Sequence, residues 1–245
     1  MACAKALAKV RSPQALAGLL AAVNVKHPKV RRGVIGALGA FRGEKGAVEA
    51  LLRVCVKGDK SVLVEAEAAR SLGKTRDPRA FEAIVPMLKR PAHVDGIRVG
   101  ALDGLAELQD PRGWAVAAAA AAYGQPPTGR RAATMALAKL AEVAGKKTQT
   151  VDMLAQLLRD PGFRVRMTVP DAAQALGDER LIEALTTTPL TDGREQRSAR
   201  EAVRALRGKS PSKELASVRS ELDALKGEMR ALKEKVERPK VKKSE

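Results

Sequence analysis

Residues 76–106 of the chain read RDPRAFEAIVPMLKRPAHVDGIRVGALDGLA, and the rest of the sequence repeats this unit. Asp77 suits a helix N-cap because its carboxylate can accept a free backbone N–H, and Pro78 suits the position after it. Arg90-Pro91 predicts the end of that helix, and Asp95-Gly96 predicts the start of a second one. Apolar residues mark one face of each helix, at Ala80, Phe81, Ile84 and Leu88, then at Ile97, Ala101, Leu102 and Leu105. Neither helix can bury its apolar face alone, so each needs a neighbouring pair stacked against it.

The same two patterns recur along the whole chain. In the second helix an apolar residue returns at intervals of 30 to 36 residues, at Leu38, Leu72, Leu105, Leu140, Leu176 and Leu206. Four residues earlier stands a mostly small residue, at Val34, Ala68, Ala101, Ala136, Ala172 and Ala202. The matching series in the first helix is Leu16, Val48, Phe81, Trp114, Val151 and Ile182. A period of this size with two helices per unit predicts an all-α fold, an α-solenoid of about six helix pairs.

The composition agrees with a folded protein that has a charged surface. The 245 residues are 45% hydrophobic, 30% charged and only 2% aromatic, so alanine and leucine must build the core. A net charge of +17 favours an acidic partner, but so few aromatic side chains make nucleic acid an unfavoured one. No apolar run is long enough to cross a membrane. Cys3 and Cys55 have no metal or redox spacing, so we expect free thiols in the cytoplasm.

The chain divides into four predicted segments. They are a helical array at 1–208, a linker at 209–213, a coiled-coil helix at 214–237 and a basic disordered tail at 238–245. Met1–Val10 has the pattern of a second helix without its first, so the array begins with an incomplete repeat. We expect the rest of a longer polypeptide to pack on that apolar edge. Ala15–Val23 could be read as a signal peptide, but the repeat register already explains this segment.

Two fragments resemble the end of a phosphate-binding loop. Leu72-Gly73-Lys74-Thr75 and Arg207-Gly208-Lys209-Ser210 carry its last letters, but both lack the glycine that the loop needs five residues earlier. We interpret Gly73 and Gly208 as helix C-caps instead.

Nothing in the sequence predicts a metal site, a cofactor or a catalytic residue. The two histidines, His27 and His93, lie in predicted turns, whereas zinc needs three or four converging ligands. Phe81 and Trp114 occupy the same repeat position and are interpreted as core residues. We therefore expect that the chain by itself is not an enzyme.

Arginines cluster where the second helices begin, at Arg31, Arg32, Arg98, Arg130, Arg131, Arg164, Arg166 and Arg197. A cation at a helix N-terminus opposes the helix dipole, so something must offset it. One hypothesis is a ladder of Asp–Arg pairs between adjacent repeats, which would use the aspartates of the preceding turns, Asp59, Asp95, Asp160 and Asp192. The other is a basic stripe along the concave surface for an acidic peptide, a carboxylate or a nucleic-acid backbone. Its candidate binding residues are Arg31, Arg98, Arg131, Arg166 and Arg197.

Residues 214–237 have the three-and-four spacing of a coiled-coil seam. Position a holds Leu215, Leu222, Met229 and Val236, and position d holds Val218, Leu225 and Leu232. In a parallel pair the glutamates at position g would meet lysines or an arginine at position e: Glu214 with Arg219, Glu221 with Lys226, and Glu228 with Lys233. The charges therefore favour a parallel homodimer. The alternative is a lone helix whose apolar stripe caps the last repeat.

The repeat resembles a HEAT repeat, with D-P-R-A at Asp77–Ala80 and a V-R start to the second helix. More narrowly, three strings resemble the C-terminal HEAT region of large bacterial zinc aminopeptidases of the gluzincin class. They are VEAEAARSLGKTRDPRA at 64–80, GALDGLAEL at 100–108 and YGQPPTGRRAA at 123–133. The heptad helix is similar too. The chain has no H-E-x-x-H, no downstream glutamate ligand and no G-A-M-E-N-type motif. The resemblance therefore implies a non-catalytic domain that packs against a catalytic domain.

Three functions are consistent with these observations. The first is the accessory domain of an aminopeptidase, and the second is a free-standing HEAT adaptor for an acidic protein. The third and least favoured is a protein that binds a nucleic-acid backbone.

Overall fold

The structure is a computed structural model that describes residues 2–90 and 95–237, with the backbone alone for 209–220, 228 and 230–237. The described residues form helices and turns without a strand, which confirms the predicted all-α solenoid. The first helices of the pairs are α2 (Pro13–Ala21), α4 (Lys45–Lys57), α6 (Ala80–Ile84), α8 (Arg112–Ala121), α10 (Lys147–Leu157) and α13 (Leu181–Thr187). The second helices are α1 (Ala2–Val10), α3 (Pro28–Leu38), α5 (Val62–Thr75), α7 (Gly96–Leu108), α9 (Pro127–Leu140), α11 (Phe163–Arg166) with α12 (Val169–Leu176), and α14 (Gly193–Glu237).

The second helices stack in chain order, so that α1, α3, α5, α7, α9, α12 and α14 each contact the next. Helix α1 therefore takes the place of a second helix, as its pattern predicted. The buried side chains form three clusters that follow one another along the chain, from Ala15 to Leu108, from Leu102 to Leu140 and from Ala138 to Leu206. This serial core is what an array of repeats produces, because each unit packs mainly against its neighbours.

The predicted core positions of the second helix are confirmed. The small residue is buried in all six pairs, and the leucine four residues later is buried in every pair except at Leu176, which is half-buried. The first-helix series is less uniform, since Leu16, Phe81, Trp114 and Ile182 are only half-buried. The residue just before each member of that series takes the innermost place: Ala15, Ala47, Ala80, Gly113, Thr150 and Leu181.

Two prolines interrupt helices, as the sequence predicted. Helix α6 gives way to a 3-10 helix, Val85–Lys89, at Pro86, and the chain breaks between α11 and α12 just before Pro170. A proline has no N–H to donate and its ring crowds the preceding turn, so the regular hydrogen-bond ladder stops there. The predicted cap at Ser12 is present, with its hydroxyl accepting the N–H of Ala15 at 3.1 Å.

The prediction that Gly73 and Gly208 are helix C-caps is wrong. Gly73 lies inside α5, which ends in Arg76 with a left-handed φ of 56°, and Gly208 lies inside α14. Gly73 is needed for close helix packing instead. A Cβ there would overlap the carbonyl oxygen of Gly104 on α7 and lie 2.9 Å from its Cα. Helices α5 and α7 therefore touch backbone to backbone.

The predicted linker at 209–213 is also wrong. Helix α14 runs without a break from Gly193 to Glu237, so the last second helix and the heptad helix are one element of 45 residues. Pro211 within it fixes φ close to the helical value and removes one hydrogen bond, which weakens the ladder without ending the helix. The predicted basic tail at 238–245 lies outside the described residues.

Candidate functional site

The predicted Asp–Arg ladder joins adjacent repeats. Arg31, in the first turn of α3, donates from Nε and Nη2 to the two carboxylate oxygens of Asp59 at 2.8 and 2.7 Å. Asp59 precedes α5, so this bidentate pair connects two consecutive repeats. Burial alone would raise the pKa of Asp59, but the hydrogen bond from Arg31 and one from the Ser61 N–H outweigh it, and the pKa is lowered.

The pair between Arg130 and Asp160 is the buried member of this ladder. Its two side chains are only 6% and 5% exposed. Nη1 of Arg130 donates to Oδ1 of Asp160 at 3.0 Å, and Nη2 donates to the other carboxylate oxygen. Asp160 also accepts the N–H of Gly162 at 2.8 Å, so the carboxylate is fixed from both sides.

The ladder arginines also resolve the conflict with the helix dipole. Each donates to a backbone carbonyl at or just beyond the C-terminal end of the first helix in its own pair. These bonds are Arg31 to Lys26 at 2.7 Å, Arg98 to Leu88 at 3.1 Å, Arg130 to Ala121 at 3.0 Å and Arg166 to Asp160 at 2.7 Å. In an antiparallel pair the start of one helix lies beside the end of the other, where a cation is favourable.

Two members of the ladder differ from the prediction. Arg98 pairs with Asp95 at 2.9 Å within the start of its own helix, rather than across repeats. Arg166 pairs with Glu195 of α14 at 2.7 Å, because Asp192 is held by Arg194 at 3.0 Å. The ladder therefore continues across this junction through a glutamate.

The structure separates the five candidate residues of the basic stripe. Arg31, Arg98 and Arg166 are used within the fold, with side chains only 14%, 24% and 21% exposed. Arg131 is exposed and forms no ion pair with the described residues. Arg197 is 79% exposed and lies 3.7 Å from Glu201. A stripe made of all five is therefore wrong, since their internal partners were not visible in the pattern, and two remain accessible.

A second set of ion pairs was missed by the sequence reasoning. In four turns an aspartate accepts both the backbone N–H and the Nε of the arginine two residues later. These Asp-x-Arg clasps are Asp77 with Arg79, Asp110 with Arg112, Asp178 with Arg180 and Asp192 with Arg194. The first two arginines also reach back one repeat, to Glu49 at 2.6 Å and Glu82 at 2.9 Å. The D-P-R string could have revealed this role, because an aspartate two residues before an N–H favours such a turn.

The clasps predict a dependence of stability on acid. The hydrogen bonds from its arginine lower the pKa of each clasp aspartate below the ordinary 3.8, to about 2 at Asp192. A carboxylate with a lowered pKa in the folded state stabilises the fold above its unfolded pKa and loses that effect as pH falls through the folded pKa. The melting temperature should therefore drop between pH 4 and pH 2. Asp178→Asn should reduce this drop, and equal drops in both proteins would contradict the assignment.

A groove opens on the exposed face of the second helices, between the starts of α5, α7 and α9. It encloses about 470 Å³, and its lining includes Val62, Leu63, Val99, Arg32, Arg70 and Arg131. Leu63 is 57% exposed, which is unusual for a leucine in a helix of this array. Arg32 pairs with Glu67 at 3.4 Å and Arg70 with Asp103 at 2.8 Å, whereas Arg131 has no such pair among the described residues. We call this site the second-helix groove.

The heptad seam faces solvent where its side chains are described. Leu222, Leu225 and Met229 are 48%, 62% and 69% exposed. These three residues therefore do not cap the last repeat, which was the alternative reading of the apolar stripe. The side chains of the other four seam residues, Leu215, Val218, Leu232 and Val236, lie outside those that the structure describes.

Comparison with known families gives one match that spans most of the chain. The family described as HEAT repeats matches residues 1–66, 55–138 and 124–207. The chain belongs to the HEAT-repeat family. None of the curated proteins compared with it matches.

Two solved structures are similar to this HEAT-repeat chain. One is the complex of CpcE and CpcF of phycocyanin lyase from Nostoc sp. PCC7120, which is 19% identical and covers 83% of this chain and 87% of that one, with a TM-score of 0.54. The other is an engineered protein, 16% identical, which covers 79% of this chain and 96% of that one, with a TM-score of 0.45. At such identity the first likeness shows the fold alone. Neither structure is described as an aminopeptidase.

The described part of the HEAT-repeat array shows no group of three or more His, Cys, Asp or Glu side chains that could hold a metal ion. Among the same residues no helix is both long and apolar enough to cross a membrane. Both cysteines are free, with Cys3 exposed and Cys55 buried. Burial raises the pKa of the Cys55 thiol to about 12. His93, one of the two turn histidines, lies outside the described residues.

Proposed function

We propose that this HEAT-repeat chain is a non-catalytic scaffold that binds an acidic, partly apolar segment of a partner protein in the second-helix groove. The observation that carries the proposal is the pairing of an exposed apolar floor, centred on Leu63, with the unpaired charge of Arg131. An exposed apolar patch rimmed by polar residues is typical of a site for another protein. The ion-paired Arg32 and Arg70 line the same groove and hold its shape.

The chemistry of the groove favours a peptide over a nucleic acid. A phosphate backbone gains nothing from apolar contact with Leu63 and Val99, and no aromatic side chain lines the groove to stack on a base. An acidic segment with an apolar residue can use both the arginine and the floor. The similar structure from Nostoc is described as a complex of two proteins, and this is consistent with a HEAT fold that works in an assembly.

The groove can be tested by charge reversal. Arg131→Glu should weaken the binding of a fluorescein-labelled peptide of alternating glutamate and leucine by about tenfold or more, because it replaces attraction by repulsion at the rim. Fluorescence anisotropy at fixed ionic strength measures the change. Arg53→Glu on α4 is the matched control, since Arg53 is also exposed and forms no ion pair with the described residues. Equal affinity of the two variants, or stronger binding of single-stranded DNA than of the peptide, would refute the proposal.

We also propose that α14 joins two copies of the chain as a parallel coiled coil. The exposed Leu222, Leu225 and Met229 leave an apolar stripe on a helix that continues past the array. The glutamates at position g face basic residues at position e only when the helices are parallel. Each exposed pair stabilises the dimer by about 0.3–0.5 kcal/mol, and Gly227 weakens the helix by about 1 kcal/mol, so we expect a weak dimer.

Sedimentation of the full chain tests this dimer. The wild-type protein should approach twice the monomer mass as its concentration rises, and Leu222→Lys should remain monomeric because it places a charge in the seam. Val56→Lys is the control, since Val56 is an equally exposed apolar residue on α4. A wild-type chain that stays monomeric at high concentration would exclude the dimer.

A narrower hypothesis is that the scaffold is the accessory domain of a zinc aminopeptidase in the cytoplasm. Its support is the resemblance of the three strings at 64–80, 100–108 and 123–133, together with the two free thiols. If it is correct, the gene will lie in or beside a reading frame that encodes H-E-x-x-H. Association with the encoded enzyme should then change its peptide turnover, whereas the chain alone should show none. An unrelated gene neighbourhood would leave the adaptor role.

A further inference from the structure

A second groove lies between the two helices of the last pair, α13 and α14, far along the chain from the second-helix groove. It encloses about 480 Å³ and has an apolar floor that includes Leu185, Leu190, Ala199 and Val203. Among the described residues, no other helix packs over this side of the pair, whereas α13 and α14 themselves cover the corresponding side of α10 and α12. The floor is therefore accessible to an apolar ligand.

Three arginines border one side of this groove. Arg200, Arg204 and Arg207 are exposed, and none forms an ion pair with a described carboxylate. Their spacing of four and three residues places them in one row along α14. At a rise of 1.5 Å per residue the row is about 10 Å long, which is more than one carboxylate can bridge. A ligand that satisfies all three must carry several negative charges in succession.

One buried polar atom also lines the groove without a partner. Thr188 is only 7% exposed, and its Oγ1 has no hydrogen-bond partner among the described residues. A buried hydroxyl left unpaired costs about 1–3 kcal/mol, so such atoms call for a specific explanation. A polar group of a ligand seated on the floor would satisfy it.

We propose that the groove between α13 and α14 binds an acidic amphipathic helix of a partner protein. Its leucine-like residues would pack on Leu185 and Val203, and its carboxylates, one helical turn apart, would pair with the arginine row. A nucleic acid fits less well because it offers no apolar face to the floor. The site does not share a residue with the second-helix groove, so the two sites can be tested separately.

The probe is a fluorescein-labelled helical peptide of 15 residues with leucines on one face and glutamates beside them at positions i, i+4 and i+7. Titration of the full chain should give saturable binding, and Arg204→Glu should weaken it by about tenfold or more. Arg53→Glu and Arg131→Glu should leave the affinity within about twofold, which separates this site from the second-helix groove. A peptide with glutamine in place of glutamate should bind at least about tenfold more weakly.

Thr188→Val provides a second test that a purely structural threonine would not pass. The valine removes an unpaired hydroxyl, so the melting temperature should stay equal or rise, while the peptide should bind about 2- to 10-fold more weakly through the lost hydrogen bond. Three results would overturn the proposal: no saturable binding of the peptide up to about 1 mM, equal weakening by Arg204→Glu and Arg53→Glu, or displacement of the peptide by single-stranded DNA of equal charge at equal concentration.

Discussion

Arg130→Ala should lower the free energy of unfolding by about 3–5 kcal/mol, because it leaves the carboxylate of Asp160 buried and unpaired. The pair is 6% and 5% exposed, so water cannot replace the lost guanidinium without opening the packing. The substitution also frees the carbonyl of Ala121 at the end of α8, to which Arg130 donates at 3.0 Å. Urea unfolding followed by circular dichroism measures the loss.

The neighbouring arginine supplies the control. Arg131→Ala removes the same side chain one residue later, from an exposed position without an ion pair among the described residues, and should change stability by less than about 0.5 kcal/mol. The double change Arg130→Met with Asp160→Leu should recover part of the loss, because two apolar residues can replace a buried ion pair. A loss below about 1 kcal/mol for Arg130→Ala would show that the pair does not hold the two repeats together.

Gly73→Ala is the second change with a large expected effect. Its Cβ would overlap the carbonyl oxygen of Gly104 and lie 2.7 Å from the carbonyl carbon, and neither belongs to a side chain that can turn away. Helices α5 and α7 would have to separate, at a cost of about 3 kcal/mol or more. Because these two helices lie in the middle of the array, the melting temperature of the whole chain should fall.

A glycine elsewhere in the array should respond in the opposite direction. A Cβ added at Gly18 in α2 would have no atom within 4 Å. Gly18→Ala should therefore stabilise the protein by about 0.5–1 kcal/mol, since alanine loses less backbone entropy in a helix. Differential scanning calorimetry of both variants separates the two effects. Stabilisation by Gly73→Ala would show that α5 and α7 do not touch through their backbones.

The repeat architecture was predictable because its signal is local and is written six times. The small residue at Ala68 or Ala101 and the leucine four residues later both follow from helical periodicity, and both are buried as predicted. The place of α1 as a second helix follows from the same register. Helix ends were less predictable, since Gly73 and the stretch at 209–213 look like stop signals in sequence but lie inside helices. A glycine has the same appearance whether it ends a helix or admits a neighbour.

The sequence by itself determined the α-solenoid, the order of its helices, the composition of its core and the position of the arginines at the starts of the second helices. It could not determine which arginines are free, because Arg130 and Arg131 are adjacent and chemically identical. Only the tertiary structure brings Asp160, 30 residues away, against Arg130 and leaves Arg131 exposed beside Leu63. The same is true of Thr188 and the arginine row of α14. Repeat periodicity fixes which face of a helix is buried, whereas the pairing of charges depends on distances between atoms far apart in the chain.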